Sequence, residues 1–241
     1  MKLFKFLLVV IFGVQFMIAQ DISGSLLLEK SIKYHDPSNQ WDTFSGEFDI
    51  VMEMPDNPKR LSHITINLPD EFFKVIATRD TTVTEYTLDK GHCSISLNGK
   101  TDLSKAELFS NNLSCERAKM YKNYYTYLYG LPMKLKDKGT NISETVEQKM
   151  FRGKEYLVLK VMYDEAVGND IWYFYFNPET FAMEVYQFFK TDEKGNIKPN
   201  SGEFIILTET ETIHQIKIPK VRAWYYNKDD SYLATDILKT E

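Results

Sequence analysis

The chain has 241 residues, of which 14% are aromatic, a net charge of −5 and two cysteines. Its basic residues are scattered, which excludes the basic stripe of a nucleic-acid-binding protein. No HExxH, GxSxG, phosphate-loop or GxGxxG motif is present, so no cofactor, metal or catalytic residue is assigned from motifs.

The chain opens with "MKLFKFLLVVIFGVQFMIAQ": two lysines, an apolar run from Phe6 to Ile18, then Ala19-Gln20. This is the order of a secretory signal peptide, and the run is shorter than the roughly 20 apolar residues of a membrane span. Residues 1–20 are read as a signal peptide and 21–241 as one domain, exported and expected in the periplasm. No cysteine follows the cleavage region to carry a lipid anchor, and no later stretch has the length of a membrane span.

Ser23 to His35 predicts a helix with Leu26, Leu27, Leu28 and Ile32 on its apolar side. Asp36-Pro37 ends it. His35 and Asp36 are a local pair with metal-ligand chemistry. A histidine facing the helix dipole, followed by a turn, explains them more simply.

The period then changes to two. In "EFDIVMEM", Phe48, Ile50, Met52 and Met54 alternate with Glu47, Asp49 and Glu53. "SHITINL", "FFKVIAT", "TTVTEYTL" and "HCSISLN" continue the pattern, with Cys93, Ile95 and Leu97 on one face. Short strands at this spacing predict an antiparallel meander rather than βαβ units.

Thr101 to Gly130 interrupts the strands with two helical segments. Asp102 is the expected cap of the first and Ser114 of the second. Gly130 is the expected C-cap, with Pro132 beyond it. On the second helix Tyr121, Tyr124, Tyr125, Leu128 and Tyr129 share one face, and Tyr127 lies off it. From Ser143 the strands return. "DIWYFYF" is apolar on both faces and is placed centrally, and "NPET" and "DEKGN" read as turns. In "GEFIILTETETI", Phe204, Ile206 and Thr208 fall on one side. Glu209 and Glu211 fall on the wet side, where solvation accounts for them better than acid–base work.

An even cysteine count in an exported chain favours a Cys93–Cys115 disulfide. The fold class expected is mainly β (α+β): a strongly curved open antiparallel sheet, a half-barrel, with an N-terminal helix and a helical insertion on its concave face.

The tyrosine face is the strongest constellation. Each ring buries ~150–250 Å², and so many left exposed would exceed the apolar patch usual for a soluble monomer. The face either packs as core or lines a cavity with its phenols as polar handles. The surplus of aromatic strand residues, among them Trp172, Phe174, Phe188 and Trp224, keeps the cavity open as a reading. Tyr121, Tyr124, Tyr125, Leu128, Tyr129, Trp172 and Phe174 are the candidate ligand-binding residues.

"LLLEKSIKYHDPSNQWDTFSGEF", "YYTYLYGLPMKL" and "WYFYFNPETFAMEVYQF" resemble a family of exported bacterial proteins of unknown function. That family is similar in build to the outer-membrane lipoprotein carriers, whose curved sheet and helices enclose acyl chains. The resemblance implies non-catalytic binding of a lipid or acyl chain, with a lipid or acylated protein as partner. It carries over no binding residue. Two other readings stand beside it: an envelope protein-interaction module with a filled core, and a hydrolase or metal enzyme assembled from distant residues.

Overall fold

The computed structural model describes residues 22–239, and the expected signal peptide at 1–20 lies outside them. Among these residues three α-helices, α1 (Gly24–His35), α2 (Lys105–Ser110) and α3 (Cys115–Gly130), accompany twelve strands. The first five are β1 (Ser45–Met54), β2 (Asn57–Asn67), β3 (Phe72–Arg79), β4 (Thr82–Asp89) and β5 (His92–Leu97). After the helical insertion come β6 (Thr140–Phe151), β7 (Lys154–Tyr163), β8 (Ile171–Phe176), β9 (Met183–Phe189), β10 (Glu203–Ile213), β11 (Ile216–Tyr226) and β12 (Tyr232–Lys239).

All twelve form one sheet in the order β5-β4-β3-β2-β1-β12-β11-β10-β9-β8-β7-β6. Every pairing is antiparallel, and β12 beside β1 joins the two meanders. The edges β5 and β6 do not pair with each other, so the curved sheet stays open.

Residues opposite one another in an antiparallel pair point to the same face. Phe48, Ile64, Val75, Tyr86 and Ile95 therefore form one row across β1 to β5. Leu159, Phe174, Tyr186, Ile205 and Trp224 form another across β7 to β11. These rows make the concave face, and the helices close over it in one continuous core. Each fully buried Ile, Leu or Phe contributes about 1.5–3 kcal/mol.

The hairpins follow from local chemistry. Arg152 and Gly153, at φ 48° and 82°, make the left-handed pair of a two-residue turn between β6 and β7. Asn177 Oδ1 accepts from the amides of Glu179 and Thr180, which turns β8 into β9. Asp192 Oδ1 accepts from Lys194 and Asn196 in the next turn.

Several expectations shift. Ser23, expected as the first residue of the helix, is its N-cap, and Leu26 faces solvent while Leu27, Leu28 and Ile32 are buried. His35 does not face the helix dipole in water. It is buried, and Nδ1 bonds the Lys217 carbonyl at 2.8 Å while Nε2 accepts from the Met183 amide at 3.0 Å. Asp36 accepts from the amides of Gln40 and Trp41. Ser104, not Asp102, caps α2, because Glu107 sits three residues on and completes a capping box. Ser114 caps α3 as expected.

Gly130 is helical, and Leu131 is the C-cap. Gly130 is needed instead for close approach: a Cβ there would lie 2.3 Å from the Trp41 ring. The "DIWYFYF" strand is third from the β6 edge. Its second apolar face packs in a separate convex cluster with Tyr156, Val158, Tyr175 and Val185. In β10 the buried concave residues are Ile205 and Leu207, while Phe204 stacks on Tyr225 across the other face. Glu209 and Glu211 both meet Lys220, at 3.6 and 2.8 Å.

Candidate functional site

Helix α3 lies over the concave face, pinned at its start by the disulfide between Cys93 of β5 and Cys115, with Cα atoms 5.9 Å apart. Cys93 faces inward with Leu88, Phe73 and Ile66 in its row, so the bridge holds the first turn of α3 against the sheet. The far end is held by Arg222. Its guanidinium donates to the Leu128 carbonyl at 3.4 Å and to the Pro219 carbonyl at 3.0 Å, and lies 3.8 Å over the Tyr129 ring. A cation at the C-terminal end of a helix also complements its dipole.

Between these anchors the tyrosine face enters the core. Tyr125 is 0% exposed; Tyr129 stacks on Phe48 at 4.7 Å and Tyr125 on Phe73 at 6.3 Å. Tyr121 packs on Tyr86 and lies under Arg117. Phe174 is buried beneath Trp172 and Tyr186. Tyr121, Tyr125, Tyr129 and Phe174 are thus packed among side chains.

Beside this filled region, on the β7–β11 flank of α3, is a cavity of about 600 Å³. Of the seven candidate residues, Tyr124, Leu128 and Trp172 line it. Tyr127, Tyr163, Phe188 and Trp224 complete its aromatic wall. Tyr127 lies off the stripe and lines the cavity because the curved sheet covers α3 on more than one side. Its hydroxyl is hydrogen-bonded to that of Tyr163. Burial pushes the Tyr163 phenol up to about 12 and the Tyr127 phenol well above its usual value, so both stay neutral.

The mouth is polar. The β7–β8 loop brings Val167, Gly168 and Asp170, and the 3₁₀ turn after α3 brings Lys134 and Asp137. Asp164 holds that loop: its backbone carbonyl accepts from Val167 at 2.7 Å, and its carboxylate accepts from Asn141 at 2.8 Å. Glu203 comes from the first residue of β10. Register places Glu203 opposite Phe188 and Phe188 opposite Trp172, so the carboxylate shares their face. Burial raises the carboxyls of Asp170 and Glu203, and nearby Lys190 offsets this in part. Lys134 is ion-paired with Asp137.

Beneath α3, outside the cavity lining, a row with three charged residues crosses the sheet. Arg222, Asp236, Met52 and Arg60 are successive partners on β11, β12, β1 and β2. Tyr124 donates to Asp236 at 3.0 Å, and Arg60 donates to the hydroxyl of Tyr125 at 3.2 Å.

A larger groove of about 750 Å³ lies outside this face, lined by polar loop residues such as Glu165, Asn169, Asp192 and Lys198. Among the described residues no three His, Cys, Asp or Glu side chains are grouped so as to hold a metal ion. No helix among them is long and apolar enough to cross a membrane.

The open curved antiparallel sheet with helices in its concavity defines a half-barrel fold. It is similar to the LolA superfamily protein NE2245 from Nitrosomonas europaea, with a TM-score of 0.52 at 11% identity over 91% of this chain and 92% of that one. A DUF1329 family protein from Desulfovibrio piger also aligns, at TM-score 0.49 and 7% identity over 91% of this chain and 92% of that one. The chain belongs to a family of unknown function, DUF6503, whose model matches residues 1–240. No curated protein matches the chain.

Proposed function

We propose that this protein is a non-catalytic periplasmic binding protein that holds an apolar ligand, a lipid or acyl chain, between its curved sheet and α3. The observation that carries the reading is the cavity of about 600 Å³ walled by Tyr124, Tyr127, Tyr163, Trp172, Phe188 and Trp224. Its size falls within the ~300–1,000 Å³ of small-molecule sites, and its walls are apolar with polar groups at one end, as such sites are. Burying a chain there stabilises by ~0.8 kcal/mol per methylene, so affinity needs no elaborate polar machinery. The half-barrel fold supports the same reading.

The test is native mass spectrometry of protein purified from the periplasm without detergent, followed by organic extraction. A co-purifying lipid, or uptake of an offered fatty acid, is the expected result. A clean apo mass with no uptake overturns the reading.

A second reading, a protein-interaction module, is favoured by one feature. Phe109, on the short helix α2, is 90% exposed, and Met120 on α3 is also exposed. Retention of a partner protein by the wild type, lost in Phe109→Ser, would support it.

A further inference from the structure

The cavity's mouth is not the usual end of an acyl pocket. Asp170 and Glu203 are half-buried there, and among the described residues neither is hydrogen-bonded or ion-paired through its side chain. Glu203 is placed by strand geometry, and Asp170 is the last residue of the β7–β8 loop, directly before β8. Asp170 and Trp172, two residues on, both line the cavity. Glu203 follows Phe188 in the same cross-strand row. The rings around them are close-set: Trp172 lies 4.8 Å from Phe188 and 5.9 Å from Tyr127, and Tyr124 lies 6.3 Å from Trp224.

Two cations stand nearby. Lys134 is taken by Asp137. Lys190 is exposed, makes no ion pair among the described residues, and is not part of the lining. It eases the burial of both carboxylates without neutralising them by contact. What is left at the mouth is a set of aromatic rings with two unpaired carboxylates beside them. Aromatic faces attract cations through their quadrupole, most strongly for tryptophan, and enclosed aromatic rings are the known way to bind a quaternary ammonium. An anionic head would meet two desolvated like charges there.

Resting on the reading of this cavity as an apolar-ligand site, we propose that its ligand is an amphiphile with a cationic head. An alkylammonium or amine group would sit at the mouth against Trp172, Tyr127, Asp170 and Glu203, with the chain inward.

The experiment compares three probes of equal chain length by calorimetric titration of the purified protein below their micelle concentrations: dodecyltrimethylammonium, laurate and dodecyl maltoside. The wild type is expected to prefer the ammonium over the other two by roughly tenfold. In Asp170→Asn/Glu203→Gln that preference should fall to near unity. Glu144→Gln/Glu147→Gln, on the exposed part of β6, changes net charge equally and should retain the preference. Melting curves establish that each variant is folded.

Equal affinity for the three probes overturns the cationic-head assignment and leaves the apolar-ligand reading standing. A preference that survives Asp170→Asn/Glu203→Gln, or is lost equally in Glu144→Gln/Glu147→Gln, overturns the assignment to these carboxylates. Binding of none of the three overturns both proposals.

Discussion

The Tyr124 hydroxyl donates to Asp236 Oδ2 across 3.0 Å, joining the helix that walls the cavity to β12 of the sheet beneath it. Asp236 is 1% exposed and stands between Arg222, its direct partner on β11, and Arg60 two strands away. Its other oxygen makes no hydrogen bond. Among the described residues Tyr124 is the main hydrogen-bond donor to this carboxylate, with the Trp224 indole as a weaker one. Tyr124→Phe keeps the ring and removes the donor. It should cost about 1–3 kcal/mol, the desolvation penalty of a buried acceptor left unpaired. A urea midpoint unchanged from wild type would show that Asp236 is satisfied elsewhere.

His35 makes stability depend on pH. The Met183 amide can only donate, so Nε2 accepts and Nδ1 carries the proton to the Lys217 carbonyl. The buried ring is neutral, and burial lowers its pKa from 6.5 to about 4. Between those values the unfolded chain binds more protons than the folded one, so stability rises with pH. The contribution is fully present above about 6.5 and is lost as pH falls toward 4, by up to ~3 kcal/mol. Urea midpoints measured from pH 7.5 to 4.5 should fall, with a shallower slope in His35→Gln.

Gly130→Ala tests the contact between α3 and Trp41. Alanine is the better helix former by up to ~1 kcal/mol. Here, however, its Cβ would lie 2.3 and 2.5 Å from Trp41 ring carbons and 2.6 Å from Lys134 Cγ. Trp41 is buried and stacked on Phe44 at 5.3 Å, so it has little room to move. Overpacking of this kind costs ~1–3 kcal/mol and should win. A gain in thermal midpoint for the variant would contradict the packing described.

Period and capping made much of the scaffold legible. The alternation of Phe48 and Ile50, or of Ile64 and Ile66, identifies strand faces without any partner. The Ser114 cap and the Cys93–Cys115 bridge follow from residue type and count. Periodicity was weaker where two faces are covered. The β8 strand reads as central because both its faces are apolar, and only the convex cluster around Tyr175 explains this near an edge. The tyrosine stripe pointed to the deepest packing, where space is filled. The cavity opens at the flank of α3, so Tyr127 falls outside the stripe, while Phe188 is legible only as part of the aromatic surplus of the strands. Glu203 reaches the same cavity as Trp172 and Asp170 through the register of β10, β9 and β8, and single-strand alternation does not reveal that. Hairpin lengths did hold a signal: the "NPET" turn brings Trp172 opposite Phe188.

The last prediction separates the cavity from the tyrosine stripe. Trp172 lines the cavity, and Trp172→Ala removes a large part of its apolar wall. Losing about 2 kcal/mol of ligand contact corresponds to roughly thirtyfold weaker binding of a fatty acid or alkyl probe. Tyr129 belongs to the stripe but not to the lining. Its hydroxyl is buried without a hydrogen-bond partner, and its ring stacks on Phe48 beneath Arg222. Tyr129→Phe keeps the ring and removes an unsatisfied polar group, which should leave stability unchanged or raise it by up to ~1 kcal/mol. Ligand affinity should not change, because no atom facing the cavity is altered. The reverse result, weakened binding in Tyr129→Phe and none in Trp172→Ala, would mean that the chain lies under the helix, where Tyr125 and Tyr129 now fill the space.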